Sequence, residues 1–234
     1  MRRLYKEVRR SDDGGILLDD RPVRTPARVP LILPNAALAQ AVAAEWAAQG
    51  EQIDPRTMPI TGLANAAIDR VTPDAPAFAA PLIRYAETDL VCYRAEDPVD
   101  LIDRQAKAWD PILDWAAVRY DARLITGAGI GHVRQNEVAV AALSDAVLAL
   151  NPWELVALDP LVTLSGSLLI ALAIHDQAME PEAAFATAHL DELWQAEQWG
   201  DDDWAIATRD AHKRDFLAAA RFLELLRGLG LRQA

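Results

Sequence analysis

The sequence predicts an α+β protein in which a small N-terminal α+β domain precedes a larger, mainly α-helical domain. Three observations predict this class. Short β-branched segments separated by turn residues occupy the first third of the chain, alanine- and leucine-rich segments broken by single prolines or glycines fill the rest, and 52% of the 234 residues are hydrophobic. That much apolar material supplies real cores, and it argues against a disordered chain.

The first domain is predicted over residues 1–75, with short antiparallel strands and one helix. Four stretches are typical of strands joined by tight turns: Tyr5–Arg9, Ile16–Asp19, Pro22–Thr25 and Val29–Leu33. The helix is predicted to begin after Asn35, a residue favoured at N-caps, and to end at Gly50. Leu38 and Val42 lie on its apolar face.

The second domain is predicted over residues 76–234 and is helical and acidic. Prolines and acidic residues at helix starts mark several of its segments. The predicted helices are Pro76–Thr88, Pro98–Val118, Asn136–Leu150, Thr163–Asp176, Pro181–Gln198 and Asp202–Leu229. Leu90–Tyr93 and Arg123–Thr126 are the strand-like interruptions.

The charge of the chain is concentrated in its second part. The net charge is −12, and residues 81–234 hold 13 Lys and Arg against 25 Asp and Glu. Between Arg134 and Arg209 there are 13 Asp and Glu and no Lys or Arg. This excess opposes binding to a nucleic-acid backbone, and it directs the search for a basic partner to this interval.

The cysteine count and the apolar runs restrict the class of protein further. Cys92 is the single cysteine, so the chain forms no intramolecular disulfide and holds no thiolate metal cluster, which favours a reducing compartment. The longest apolar run, Leu161–Ile174, contains Thr, Ser and Gly and is shorter than the roughly 20 residues that a membrane-spanning helix needs. It predicts a buried helix, without stable membrane insertion.

Motif searches predict no catalytic, cofactor-binding or metal-binding residues. The segment GAGIGH, Gly127–His132, follows a predicted strand, but a dinucleotide fingerprint needs a third glycine where His132 stands, so a glycine-rich turn is favoured. The histidines are scattered, and none has a spacing that aims two ligands from one helix face. His189 and Glu192 lie three residues apart, which is typical of a surface pair on a helix.

Tryptophans and carboxylates alternate in the segment Asp191–Trp204, which reads DELWQAEQWGDDDW. Aromatic anchors with a charged rim are typical of protein interfaces. An apolar stripe on a helix is also typical of a core, with the acids merely solvating its outer face. The residues by themselves leave both interpretations open.

Five segments stand out in chain order: TMPITGLANAAIDRV (Thr57–Val71), RYAETDLVCYRAEDP (Arg84–Pro98), LIDRQAKAWDPILDW (Leu101–Trp115), SLLIALAI (Ser167–Ile174) and LDELWQAEQWG (Leu190–Gly200). The Ala-Glu-Trp of Ala44–Trp46 and the loop Gln49–Pro55 precede them. Together these segments resemble one family, the assembly chaperone of the F(1) sector of ATP synthase that acts on the alpha subunit in mitochondria and alpha-proteobacteria.

The resemblance implies a two-domain chaperone that binds unassembled alpha subunit, shields the surface that alpha later buries against beta, and performs no catalysis. It implies that the acidic segment Leu190–Gly200 carries the function. Partner-binding residues are expected at Asp191, Glu192, Trp194, Gln195, Glu197 and Trp199, with Trp194 or Trp199 as an anchor. We expect the chain to act in a bacterial cytoplasm, since it lacks the long N-terminal extension of mitochondrial members, which act in the matrix. We also expect it to be a monomer when free.

An alternative is a carboxylate- and metal-dependent enzyme with a helical pocket. Asp110, Asp114, His189 and Glu192 are the groups that would bind a divalent metal there. Asp110 stands directly before Pro111, however, and such an aspartate is better interpreted as a helix N-cap. No ligand spacing supports the enzyme.

A second alternative is a membrane-surface role for the basic start of the chain. Five basic side chains lie within ten residues: Arg2, Arg3, Lys6, Arg9 and Arg10. A basic arm of this kind binds anionic lipid, but short basic arms are more often simply solvated. The net charge of −12 also opposes the interpretation.

Overall fold

The structure, a computed structural model, describes residues 2–129 and 131–228. The described residues divide into two compact units. The first unit comprises those of Met1–Ala75, Asn151–Ala157 and Ala218–Ala234, and the second comprises those of Pro76–Leu150 and Leu158–Leu217. The first unit holds a small antiparallel sheet with helices and the second is mainly helical. The predicted α+β class is confirmed.

The sheet of the first unit is a short antiparallel meander. Strands β1 (Val8–Arg10), β2 (Ile16–Leu18) and β3 (Arg21–Pro22) pair in chain order, with Arg9 opposite Leu17. A turn with Gly14 at φ +87° joins the first two strands. The predicted strand Val29–Leu33 forms isolated bridges in place of a continuous ladder. Pro30 within it and Pro34 directly after it have no backbone N–H, so they cannot donate hydrogen bonds to a neighbouring strand.

Helix α1 (Ala36–Ala47) begins where the sequence predicts. The Asn35 side-chain oxygen accepts a hydrogen bond from the Leu38 N–H at 2.9 Å, which satisfies one of the free donors of the first turn. The Asn35 amide group also donates to the carbonyls of Leu225 and Leu226, which belong to the same unit. Leu38 and Val42 are completely buried, as their spacing predicts.

A second helix of this unit, α2 (Pro59–Ala66), continues as one π-helical turn over Ala67–Val71 and was not predicted from the sequence. Its N-cap residue, Met58, has no side chain that can accept a hydrogen bond. The Glu45 carboxylate accepts instead, from the N–H groups of Ile60 and Thr61 at 2.8 and 2.7 Å. A cap supplied from 15 residues away is not visible in the local sequence.

The described residues from Ala75 onward form eight α-helices. They are α3 (Ala75–Ile83), α4 (Val99–Tyr120), α5 (Glu137–Leu148), α6 (Pro152–Ser165), α7 (Leu168–His175), α8 (Pro181–Ala188), α9 (Leu190–Trp199) and α10 (Asp203–Leu226). Six of them belong wholly or almost wholly to the second unit, whereas α6 and α10 each have one end in the first unit and the other end in the second. Two short strands, β4 (Tyr93–Arg94) and β5 (Gly127–Ala128), pair in parallel. Ile130 of the glycine-rich motif and Leu229 of the last predicted helix lie outside the described residues.

The long apolar run contains a helix break. A single helix was predicted over Thr163–Asp176, but α6 ends at Ser165, Gly166 has φ +70°, and α7 begins after Ser167. Ser167 is the N-cap of α7, since its hydroxyl oxygen accepts from the Ile170 N–H. The single-helix prediction is therefore wrong, because a serine that reads as a tolerated interior residue acts as a cap.

Helix α7 is the centre of the second unit, and an acidic side chain fixes its start. All seven residues from Leu168 to Ile174 are buried. The carboxylate of Asp89 is fully buried and accepts from the N–H groups of Leu169 and Val91. Burial raises the pKa of Asp89 to about 6. Within the described residues, no helix is both long and apolar enough to span a membrane.

Helix α4 runs through Pro111 without ending there. Its length of 22 residues includes Asp110, which the sequence suggested as an N-cap. Asp110 instead accepts from the Arg94 guanidinium at 2.7 Å, so the N-cap interpretation is wrong. The helix tolerates Pro111 because a proline removes only one hydrogen bond of the i to i−4 ladder when the remaining turns are packed.

Candidate functional site

All six residues of the expected partner-binding set lie on helix α9, where their side chains point to two different sides of the helix. Residues three or four apart share one side of a helix. Asp191, Trp194 and Glu197 form one group with this spacing. The other group is Glu192, Gln195 and Trp199, which we call the groove face.

The first group faces α4 and is bonded to it. Three contacts join the helices: Asp191 Oδ1 accepts from Gln105 Nε2 at 2.8 Å, Trp194 Nε1 donates to Asp100 Oδ2 at 3.0 Å, and Glu197 Oε2 accepts from Arg104 Nη1 at 2.7 Å. Trp194 is buried, with 8% of its surface exposed. We call Asp191, Trp194 and Glu197 the anchor face of α9.

Two further hydrogen bonds fix the position of helix α4, the platform on which α9 is bonded. Gln105 is buried, and its side-chain oxygen accepts from the Ala95 N–H at 2.8 Å while its amide group donates to Asp191. The indole of Trp109, which is completely buried, donates to the Thr187 carbonyl at 2.9 Å. A buried polar group with both of its functions satisfied holds its neighbours in one arrangement.

The groove face of α9 lines an open groove of about 400 Å³ together with the first turns of α10. This volume falls within the ~300–1,000 Å³ that is usual for ligand pockets. Its lining combines two indoles, small side chains and charged groups. The lining residues are Glu192, Gln195, Ala196, Trp199, Gly200, Asp201, Trp204, Ala205, Thr208, Arg209 and His212.

Two tryptophans on this groove are strongly exposed to solvent. Trp199 is 75% exposed and Trp204 is 77% exposed, in contrast to the buried Trp194. The Trp199 ring meets the Trp194 ring edge to face, with centroids 5.6 Å apart, so the anchor face supports it from one side. Exposed aromatic rings beside a groove are typical of a protein-binding site.

Carboxylates dominate the electrostatics of the groove. Arg209 forms an ion pair with Asp201, and hydrogen bonding to Asp201 raises the pKa of its guanidinium. Asp202 accepts from the Ala205 N–H at 2.7 Å at the start of α10. Glu192 is exposed and has no hydrogen bond or ion pair with any residue that the structure describes, although its charge also acts on Arg209. The groove therefore contains an acid that is available to a partner.

The residues of the metal-enzyme alternative are not brought together. His189 is buried, stacks on Phe185 with ring centroids 3.9 Å apart, and bonds through Nδ1 to the Phe185 carbonyl at 2.9 Å. Asp110 is paired with Arg94 on another part of the unit. Over residues 2–129 and 131–228, no group of three or more His, Cys, Asp or Glu side chains has the proximity that a metal site requires.

The thiol of Cys92 is likewise unsuited to nucleophilic chemistry. The residue is completely buried, and burial raises the pKa of its thiol to about 12. A cysteine reacts as its thiolate, which is negligible at neutral pH for such a group.

The basic start of the chain is partly engaged within the first unit. Arg3 donates to the carbonyl of Ala47 and packs over the Tyr5 ring at 4.6 Å. Arg9 is paired with Asp20 at 2.6 Å. Arg10 donates to the Ala36 carbonyl at 3.4 Å. These contacts are typical of basic side chains with a structural role.

The expected set omitted every groove residue of α10. Trp204, Arg209 and His212 are among those that line the groove from this helix. Trp204, Thr208 and His212 follow one another at intervals of four residues, and Arg209 lies three residues before His212, which is the spacing of one helix side. That spacing was a signal in the sequence, but only the structure pairs this side of α10 with the groove face of α9.

Comparisons with known proteins agree in placing the chain in one family. Residues 2–117 match the family model described as ATP12 chaperone protein. The chain is 25% identical over 229 residues to "Protein atp12, mitochondrial" of Schizosaccharomyces pombe, which covers 92% of this chain and 77% of the relative. The groove lies beyond residue 117, outside the part of the chain that the family model matches.

Two crystal structures are similar to almost the whole chain. Atp12 from Paracoccus denitrificans is 42% identical with a TM-score of 0.91, covering 97% of this chain and 98% of that chain. The Atu1473 protein from Agrobacterium tumefaciens is 42% identical with a TM-score of 0.90, covering 96% of this chain and 86% of that chain. The chain therefore belongs to the ATP12 chaperone protein family, the family of ATP synthase assembly chaperones that its sequence motifs resemble.

Proposed function

We propose that this chain is a chaperone without catalytic activity that binds the unassembled alpha subunit of ATP synthase and covers the surface that alpha later buries against beta. The observation that supports this most is the open groove between α9 and α10, because it presents two exposed indoles and an available carboxylate. An unassembled subunit exposes apolar surface that favours aggregation. A groove with aromatic anchors covers such surface.

The charge of the second unit suits reversible capture. This unit carries 10 Lys and Arg against 23 Asp and Glu, whereas the first unit carries 13 against 12. Complementary charge accelerates encounter and selects the partner, and it adds less to the lifetime of the complex than apolar anchors do. A partner steered in this way is captured quickly and is still released when beta arrives.

The six residues of α9 have two roles in this proposal. Glu192, Gln195 and Trp199 contact the alpha subunit directly from the groove. Asp191, Trp194 and Glu197 contribute by fixing α9 on α4, which holds the groove face in position. A preorganised surface binds more tightly because less conformational freedom is lost on association.

A charge reversal at the groove tests the proposal against a matched control. Glu192→Lys is compared with Asp145→Lys, which makes the same change of charge at an exposed position of α5, on a different helix from the groove. Affinity for purified alpha subunit is measured by biolayer interferometry at low and moderate salt, with circular dichroism to check the helical content. We expect Glu192→Lys to weaken binding at least tenfold and Asp145→Lys to weaken it less than twofold.

Equal effects of the two reversals would contradict a role for the groove, and so would binding that neither responds to salt nor changes with Glu192→Lys. A pull-down from a bacterial lysate tests the assembly stage. We expect the tagged chain to recover alpha without beta. Recovery of the assembled alpha–beta complex would contradict capture before pairing.

We further propose that the chain acts in a bacterial cytoplasm as a free monomer. The support is its 42% identity to structures from two bacteria. Light scattering behind a sizing column measures the state of the free chain, and a dimer at micromolar concentration would contradict the monomer.

A further inference from the structure

The groove between α9 and α10 combines features that select one kind of side chain. Its lining includes two indoles that are about three-quarters exposed, Trp199 and Trp204. Its α9 side also carries Glu192, a carboxylate without a direct partner among the described residues. Aromatic faces attract cations, and a nearby carboxylate adds a charge-assisted hydrogen bond.

We propose that the groove is an aromatic cage for an arginine side chain of the bound partner, with the guanidinium between Trp199 and Trp204 and bonded to Glu192. This inference rests on the proposed function and adds the chemistry of the group that is recognised. Arginine fits better than lysine because its guanidinium is planar, stacks on aromatic rings, is weakly hydrated and bonds a carboxylate through two N–H groups. Its apolar stem lies against Ala196 and Ala205.

The cation that already lines the groove is bonded to Asp201 and not to Glu192, although the charge of Glu192 also acts on it. The Arg209 side chain is only 18% exposed and its guanidinium is paired with Asp201, whose side chain is 22% exposed. Arg209 and Asp201 therefore satisfy each other's charge at the side of the groove. The acid at Glu192 therefore remains for a second guanidinium.

The start of α10 would repel a cation if it were not neutralised. A helix N-terminus carries partial positive charge from its free N–H groups. Three consecutive aspartates, Asp201–Asp203, stand at this end, and Asp202 accepts one of the free N–H groups. Because Asp201 is paired with Arg209, Asp202 and Asp203 supply the negative charge at this end of α10, which favours a cationic occupant over a neutral or acidic one.

The proposal commits to arginine and distinguishes it from three other occupants. A neutral apolar side chain would use the indoles but not Glu192. A lysine would contact both the indoles and Glu192, but its ammonium group is not planar and does not stack on an aromatic ring. A second copy of this chain would make the groove an interface between monomers. Charge complementarity favours arginine, and the experiments separate it from each of the others.

Indole NMR resonances report directly on the cage. The chain has seven tryptophans, so a ¹⁵N-labelled sample gives seven Nε1–H signals, which single Trp→Phe variants assign. The probes are three acetylated, amidated peptides, Gly-Leu-X-Leu-Gly, with X as arginine, lysine or citrulline. Citrulline has the shape of arginine without its charge.

We expect the arginine peptide to shift the signals of Trp199 and Trp204 selectively, at a concentration at least fivefold below that needed for lysine, and the citrulline peptide to shift neither. Equal shifts with citrulline, or shifts that spread over the buried tryptophans, would overturn the cage. Shifts that depend on protein concentration without peptide would also overturn it, because they would indicate a second copy in the groove.

Binding to purified alpha subunit tests the cage in the whole complex. Glu192→Gln and Trp204→Ala are each expected to lower the affinity about tenfold, and Trp204→Phe to lower it less, because a phenyl ring keeps part of the cation–π attraction. Gln198→Ala, an exposed position of α9 outside the groove lining, is the control with unchanged affinity. The three substituted positions are exposed, so circular dichroism spectra of all four variants are expected to be unchanged.

The two proposals fail in different ways. If wild type binds alpha and Glu192→Gln and Trp204→Ala bind it equally well, the cage is overturned while the chaperone function stands. If wild type does not bind alpha but the arginine peptide shifts Trp199 and Trp204 selectively, the chaperone proposal is overturned while the chemistry of the groove stands.

Discussion

The two faces of α9 have similar compositions and opposite uses. Each face combines a tryptophan with at least one acidic side chain, yet the anchor face is bonded to α4 and the groove face meets solvent. The anchor face buries its tryptophan, with Trp194 8% exposed, and the groove face leaves Trp199 75% exposed. A tryptophan-and-acid pattern therefore does not by itself indicate an interface, because the same residue types also fasten a helix inside a unit.

This contrast predicts that substitutions on the anchor face lower stability and that substitutions on the groove face lower binding. The largest expected effect is that of Trp194→Ala. It removes a buried indole and its hydrogen bond to Asp100, so we expect the free energy of unfolding to fall by about 3 kcal/mol. Urea denaturation followed by circular dichroism measures it. Trp199→Ala is the control and is expected to change the value by no more than about 0.5 kcal/mol. Similar losses for the two variants would contradict the division of the helix.

The buried carboxylate of Asp89 is expected to make a contribution to the free energy of unfolding that depends on pH, in contrast to an exposed acid. Burial raises its pKa in the folded state to about 6, above the ordinary value of 3.8. The folded state therefore holds the proton more tightly than the unfolded state, so the contribution of Asp89 to stability is greatest below about pH 4 and is lost as the pH rises through about 6. We expect the free energy of unfolding of wild type minus that of Asp89→Asn to fall by about 2 kcal/mol from about pH 4 to pH 7.

Urea denaturation at several pH values measures that difference. Glu192→Gln on the groove face is the control, and its difference from wild type is expected to stay close to the error of the measurement, because the side chain is exposed and has no hydrogen bond or ion pair with a described residue. A constant difference for Asp89→Asn would show that its burial does not perturb its protonation.

A smaller loss of stability is expected at the platform under α9. Gln105→Ala removes the acceptor of the Ala95 N–H, which is partly buried, and the donor to Asp191. We expect the free energy of unfolding to fall by about 1–2 kcal/mol, since the groups left behind lose their partners. Gln195→Ala, the same substitution on the groove face, is expected to leave the urea midpoint unchanged. A loss at Gln195 as large as that at Gln105 would contradict the contrast.

The smallest expected effect is that of Arg104→Ala. Its guanidinium pairs with Asp100 at 3.3 Å and Glu197 at 2.7 Å, but it is 42% exposed, and solvent screens exposed ion pairs. We expect a change in stability close to the error of the urea measurement, together with faster hydrogen exchange at the C-terminal turn of α9. A large loss of stability would show that this ion pair, and not Trp194, is the main attachment of the helix.

Local signals in the sequence were sufficient for several elements. Asn35 and Asn136 are N-caps of α1 and α5, and the predicted starts of these helices agree with the structure within one residue. The predicted helix Pro98–Val118 corresponds to α4, which ends two residues later at Tyr120. These elements carry their caps and apolar spacing within their own segments, so the sequence alone shows them.

Other elements depend on partners that are distant in the sequence. Helix α2 is capped by Glu45, and the start of α7 is fixed by Asp89, 80 residues before the Leu169 N–H that it accepts. The predicted helix Pro181–Gln198 is divided at His189, whose Nδ1 bonds back to the Phe185 carbonyl and whose ring stacks on Phe185. Neither glycine nor proline marks that break, so a sequence pattern could not reveal it.

The sequence by itself determined the family, the α+β class, the helical character of the second part and the location of the excess acid. Charge and helical spacing are properties of the residues and need no tertiary structure to be counted. The 3.6-residue period also separates the side chains of α9 into two groups, but it does not state which group faces a neighbour.

Only the tertiary structure decided that question. Asp100, Arg104 and Gln105 of α4, which lie 86 to 94 residues before their partners, bond one group and leave the other facing the groove. The physical reason is that the polar atoms of the buried Trp194 and Gln105 require partners, and each finds its partner on a helix distant in the sequence. The acidic excess that the sequence locates in one interval thus divides into acids that bond to α4 and acids that face the groove.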